Sequence, residues 1–106
     1  MLFRSLLDIC VLSAIYRKDS YGYRIIKELA EIVEISESTL YPILRRLEGA
    51  ESLKSYSVEH AGRLRKFYSI TGKGKIQIED FLDNWPKMER IYNYILERED
   101  DKKGVS

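Results

Sequence analysis

Ser36-Glu37-Ser38-Thr39-Leu40-Tyr41-Pro42-Ile43-Leu44-Arg45-Arg46-Leu47-Glu48 carries four aliphatic residues, Leu40, Ile43, Leu44 and Leu47, at positions i, i+3, i+4 and i+7. This spacing gathers them on one face of a helix, and a face so uniformly apolar belongs to a core. Ser38, Thr39, Tyr41, Pro42, Arg45 and Arg46 are then turned away from it. Their hydroxyls, phenol and guanidinium groups suit base edges and phosphates, so the stretch reads as a recognition helix. Ser36 is a suitable N-cap, and Pro42 predicts a kink or a looser first turn.

Upstream, Leu6, Leu7, Ile9, Cys10, Val11, Leu12, Ala14 and Ile15 are apolar almost all round a helix, which predicts burial on several sides. Arg17-Lys18-Asp19 closes that helix. Ser20 is the expected cap of a second helix from about Tyr21, whose inward stripe is Ile25, Ile26, Leu29, Ala30 and Val33. Ile32-Val33-Glu34-Ile35 suits either a brief strand or a turn.

Downstream, Leu53–Val58 and Leu64–Ile70 have strand character and flank Glu59-His60-Ala61-Gly62-Arg63, which predicts a β-hairpin. In its second strand Leu64, Lys66, Tyr68 and Ile70 share one face and Arg65 and Phe67 the other, leaving the inward side open. A hairpin with a basic tip is what the wing of a winged helix-turn-helix requires. Thr71 is the expected cap of a last helix. There Ile78, Phe81, Trp85, Met88, Tyr92 and Ile95 recur at alternating steps of three and four, a heptad seam best covered by the same helix of a second copy. Pro86 predicts a bend after Trp85.

The chain's 106 residues fit one domain plus an appendage. Its overall charge of +1 hides an asymmetry: residues 38–75 carry a net +5 and residues 76–106 a net −3. Positive charge is thus concentrated around the proposed recognition helix and hairpin. The one cysteine, Cys10, rules out an internal disulfide and fits a reducing compartment. The one histidine, His60, has no partners from which to build a catalytic or metal-binding constellation, so neither an enzyme nor a cofactor is expected. Asp8 interrupts the apolar N-terminal stretch, against a signal peptide, and no run approaches the roughly 20 apolar residues of a membrane span. A cytoplasmic protein is expected.

Tyr21-Gly22-Tyr23, Ser38-Thr39-Leu40-Tyr41-Pro42, Leu44-Arg45-Arg46-Leu47-Glu48 and Gly62-Arg63-Leu64-Arg65-Lys66-Phe67-Tyr68-Ser69-Ile70-Thr71, in this order, closely resemble the PadR family of transcriptional regulators over about residues 5–96. The resemblance implies a winged helix-turn-helix homodimer that binds pseudo-palindromic double-stranded DNA, usually as a repressor released by a small molecule. The single short C-terminal helix is similar to the compact branch of the family. There, the resemblance implies, a tryptophan matching Trp85 stacks planar aromatic effectors at the dimer centre, and an acidic position matching Glu89 faces cationic ones. A heptad position equally suits plain packing, and the two readings of Trp85 stand side by side. The chain departs from the family in a short Ala30–Ser36 connection, in Pro86 beside the tryptophan, and in Glu51, which replaces the glycine of a left-handed helix end.

The expected fold is mainly α (α+β): a winged helix-turn-helix over 1–70, a C-terminal dimerisation helix over 71–97 and a disordered tail over 98–106. Ser38 and Thr39 are assigned to base edges, with Tyr41 beside them, and Arg45 and Arg46 to phosphates. Arg63, Arg65 and Lys66 are assigned to the wing contact, and one of Tyr21 and Tyr23 to a further phosphate. His60 is read as inert. The rival to a DNA-binding regulator is a winged-helix adaptor that binds only protein, which the basic hairpin argues against.

Overall fold

The computed structural model describes the backbone of residues 2–105 and the side chains of residues 6–98. Its elements run α1 (Leu2–Arg17), α2 (Gly22–Leu29), α3 (Glu37–Gly49), β1 (Leu53–His60), β2 (Arg63–Ile70) and α4 (Gly72–Val105). This is a winged helix, with three helices in front of a two-stranded antiparallel sheet and a long helix behind it.

The core forms where the apolar stripes meet. Val11, Leu12 and Ile15 of α1, Ile25 of α2, and Leu40 and Leu44 of α3 are fully enclosed, with Leu47 and Leu53 beside them. All four aliphatic residues of the α3 stripe are buried, while Ser38, Thr39, Tyr41 and Arg45 are exposed. Pro42 lies inside α3 without interrupting it. Of the α2 stripe, Ile25 and Leu29 are buried, but Ala30 lies beyond the helix end and is exposed. Residues 32–35 form a turn rather than a strand, anchored by Val33 N–H donating to the Leu29 carbonyl at 2.8 Å and by buried Ile35.

Three junctions differ from expectation. Ser20 does not cap α2, whose N-cap is Tyr21. Instead Ser20 pairs with Tyr68 of β2, each donating its N–H to the other's carbonyl, at 3.1 and 2.7 Å, and the Ser20 hydroxyl accepts from Arg24 Nε. The wing is thereby bonded to the α1–α2 connection. Second, the hairpin strands extend to His60 and Arg63, leaving a two-residue turn. Ala61 and Gly62 both have positive φ, 51° and 77°, as a tight hairpin turn whose twist matches its strands requires.

The third is the end of α3, where Glu51 takes the left-handed conformation (φ 65°) in place of the expected glycine. Ser52 N–H donates to the Leu47 carbonyl and Glu51 N–H to the Glu48 carbonyl, the paired bonds of a Schellman ending. The Thr71 hydroxyl donates to the Glu51 carbonyl at 2.6 Å and accepts from Gly74 N–H, so the residue that caps α4 also secures the end of α3.

Helix α4 is continuous through Pro86 and is assigned to Val105, so it includes the stretch from 98 that reads as a tail in the sequence. The heptad seam is divided along it. Ile78 packs against the core, Phe81 and Met88 are half-buried, and Tyr92 and Ile95 are 62% and 50% exposed. Its first turns therefore serve this chain's own domain, and its later turns extend past it.

Candidate nucleic-acid interface

The outward face of α3 begins with three hydroxyls. Ser36 Oγ lies 2.8 Å from Ser38 Oγ and 3.3 Å from Thr39 Oγ1, all three residues exposed at the helix N-terminus. Ser36 is the N-cap by position, but its hydroxyl makes no bond to a backbone N–H. Bonds among exposed hydroxyls are exchangeable, so Ser38 and Thr39 can turn to base edges at little cost.

One turn on, Tyr41 leans over the start of α2. A Cβ placed on Gly22 would lie 2.5 Å from the Tyr41 phenol oxygen, so only glycine at position 22 admits this contact. Gly22 is a positioning residue that the resemblance included in Tyr21-Gly22-Tyr23 without assigning it a role.

Between α2, α3 and the wing lies an open cleft of about 520 Å³. Tyr21, Tyr23, Tyr41, Arg63, Arg65 and Lys66 all line it, so six of the ten expected contact residues share one concave surface. His60, read as inert, also reaches its rim through the extended β1 strand. Phenols and cations around a groove provide donors and charge for a phosphate backbone.

Tyr21, in the cleft wall, is the centre of a stack of cations and rings. The Tyr21 ring has Arg65 at 4.3 Å and Arg24 at 5.0 Å from its centroid, with Phe67 edge-on at 5.2 Å and Tyr56 stacked beyond Phe67. Arg24 also donates to the Asp19 carbonyl, and the Tyr56 hydroxyl donates to Asp19 Oδ2 at 2.6 Å. That bond, which would be lost on ionisation, raises the Tyr56 pKa above the usual phenol value. Burial similarly raises that of Tyr68 beneath the cleft, so both phenols stay neutral.

The basic residues divide. Arg45 and Arg63 are exposed, Arg45 on α3 and Arg63 at the wing tip. Arg46, expected beside Arg45 as a phosphate contact, is instead half-buried and paired through Nη2 with Asp8 of α1. A step of 100° around a helix separates neighbours, carrying Arg46 towards the core side while Arg45 stays outward. Lys66 is also tethered: Nζ lies 3.7 Å from Glu48 Oε1, and Ser55 donates to the other oxygen of that carboxylate.

A second groove, about 300 Å³, separates α1 from α4. Phe81, Trp85 and Met88 form one wall, with the Phe81 and Trp85 ring centroids 5.8 Å apart. Asp8, Gln77 and Asp80 supply its polar groups, whereas Glu89, expected as the acidic partner of Trp85, does not line it. Among the described residues no three His, Cys, Asp or Glu side chains could hold a metal ion, and no helix is long and apolar enough to cross a membrane.

Comparison with known proteins agrees with this architecture. Residues 11–80 match the transcriptional regulator PadR-like family. An uncharacterised protein of Lysinibacillus sphaericus is 33% identical over 102 residues, covering 91% of this chain and 93% of its own. A Streptococcus mutans protein of solved structure is 37% identical, with a TM-score of 0.77 and 89% of each chain covered. A PadR family transcriptional regulator from Eggerthella lenta is 33% identical, with a TM-score of 0.81 over 91% of this chain and 86% of its own. Bacillus subtilis PadR, solved in complex with operator DNA, shares the fold at a TM-score of 0.67 and 21% identity, over 73% of this chain and 46% of its own.

Proposed function

We propose, since this chain belongs to the PadR-like family of transcriptional regulators, that it is a cytoplasmic repressor binding a pseudo-palindromic operator as a homodimer. The observation that carries this reading is the continuity of one surface. The Ser38–Thr39 hydroxyls, Tyr41, Arg45 and the basic, tyrosine-lined cleft run from the recognition helix to the wing tip. With Ser38 and Thr39 at base edges in the major groove, Arg45 is on the side of α3 nearest a phosphate strand, and Arg63 reaches the neighbouring backbone. Tyr21, Tyr23 and Arg65 receive phosphate between these two anchors.

The dimer reading is supported by α4, where Ile91, Tyr92, Tyr94, Ile95 and Leu96 are all exposed. An amphipathic face of this size is covered by a second copy, which sets two recognition helices about 34–36 Å apart on one side of the duplex. The groove beside Trp85 suits a planar aromatic effector, since Phe81 and Trp85 offer ring faces and Met88 an adaptable wall. Selection of bound sequences from random duplexes, followed by titration of the selected site at several salt concentrations, tests the reading. Recovery of a two-fold-related motif with a steep salt dependence is expected. Recovery of no motif and no salt-dependent binding would leave a protein-binding winged helix.

A further inference from the structure

Two polar side chains in the wall of the Trp85 groove also hold the recognition helix. Asp8 accepts the hydrogen bond of Arg46 from the last turns of α3. Gln77 accepts from the Ser52 hydroxyl at 2.8 Å, and Ser52 N–H closes the end of α3 on the Leu47 carbonyl. The C-terminal half of the recognition helix is therefore fastened to the same groove that faces Trp85 and Phe81. Asp80 adds a second carboxylate, and no basic side chain is among the groove's lining residues, so its chemistry favours an aromatic cation.

We infer that Asp8 is shared between Arg46 and a planar aromatic cation seated against Trp85, and that occupancy by the cation releases the C-terminal half of α3. This rests on the effector reading of the groove given above. Arg46 is thereby a positioning residue and not a phosphate ligand. Two like charges converging on one carboxylate, itself mostly shielded from solvent, disfavour each other. A ligand with different affinities for the held and released helix shifts that equilibrium, and the coupling is reciprocal. Loss of the Arg46 charge must then tighten cation binding.

N-methylquinolinium and its neutral isostere 1-methylnaphthalene test this through quenching of Trp85, the only tryptophan. In Arg46→Met, affinity for the cation should rise about five- to tenfold while that for the neutral probe stays unchanged. In Asp8→Asn, cation affinity should fall by a similar factor, and adding Arg46→Met should then have no effect. Hydrogen exchange of residues 44–49 should accelerate with the cation in the parent protein and not in Asp8→Asn. Arg46→Gln replaces Arg46→Met if circular dichroism shows that the methionine variant is unfolded. If both probes bind and Arg46 substitution leaves their ratio unchanged, the shared-carboxylate inference is wrong and the effector reading stands. If neither probe quenches Trp85, both are overturned.

Discussion

Helices α3 and α4 both carry regular apolar stripes, and the molecule treats them in opposite ways. The α3 stripe is completed within the chain: Leu40, Ile43, Leu44 and Leu47 are each 5% exposed or less. The later α4 stripe has no cover from its own domain, and Tyr92, Tyr94 and Ile95 are each at least half exposed. Equal periodicity thus encodes two kinds of burial. An α3 packed between α1, α2 and the sheet presents one polar face to a ligand. An α4 that reaches past its domain leaves an apolar one uncovered, the face proposed above for a second copy.

The strongest way to break this contrast is to charge the exposed stripe. Tyr92→Asp with Ile95→Asp should give a folded monomer in sedimentation. Affinity for the selected duplex should fall by about 100-fold or more, because the second half-site contact is no longer intramolecular. A dimer that persists would place the interface elsewhere. In the closed half, Leu44→Ala should cost about 3 kcal/mol by chemical denaturation, through lost burial and the cavity left behind. Oligomeric state should be preserved in whatever fraction remains folded.

Smaller effects sharpen the division on the α3 surface. Arg45→Ala should lower duplex affinity and reduce the salt slope by about one, as expected for one lost phosphate contact. Arg46→Ala should leave the slope unchanged and act through helix position. Equal slopes for the two variants would contradict their separate roles. The smallest expected effect is at the end of α3, where Glu51→Gly relieves a left-handed backbone and should stabilise the fold by about 1 kcal/mol. A destabilised variant in thermal unfolding would mean that the Glu51 side chain contributes more than its backbone conformation costs.

Most of the architecture is legible as periodicity and capping chemistry. The α3 stripe, the hairpin and the Thr71 cap read directly, because each depends on residues a few positions apart. The candidate surface is legible in part. Tyr21, Tyr23, Tyr41, Arg63, Arg65 and Lys66 meet in one cleft as their residue types suggest, yet the need for Gly22 appears only when Tyr41 is seen leaning on α2. Ser20 reads as a helix cap from its hydroxyl, but its backbone pairs with Tyr68 of the wing and its hydroxyl accepts from Arg24, which no local pattern signals.

By itself, the sequence determined the inward stripe of α3, where helices and strands alternate, and that the last helix carries a regular apolar seam. These are local properties, set by the 3.6- and 2-residue repeats of the backbone. Tertiary structure alone decided that Arg46 belongs to Asp8, 38 residues away, that Glu48 holds Lys66, and that the acids lining the groove beside Trp85 are Asp8 and Asp80 rather than Glu89. Side chains adjacent in sequence, such as Arg45 and Arg46, differ by only one helical step. Which of them finds an opposite charge depends on what distant segment the fold brings against that step.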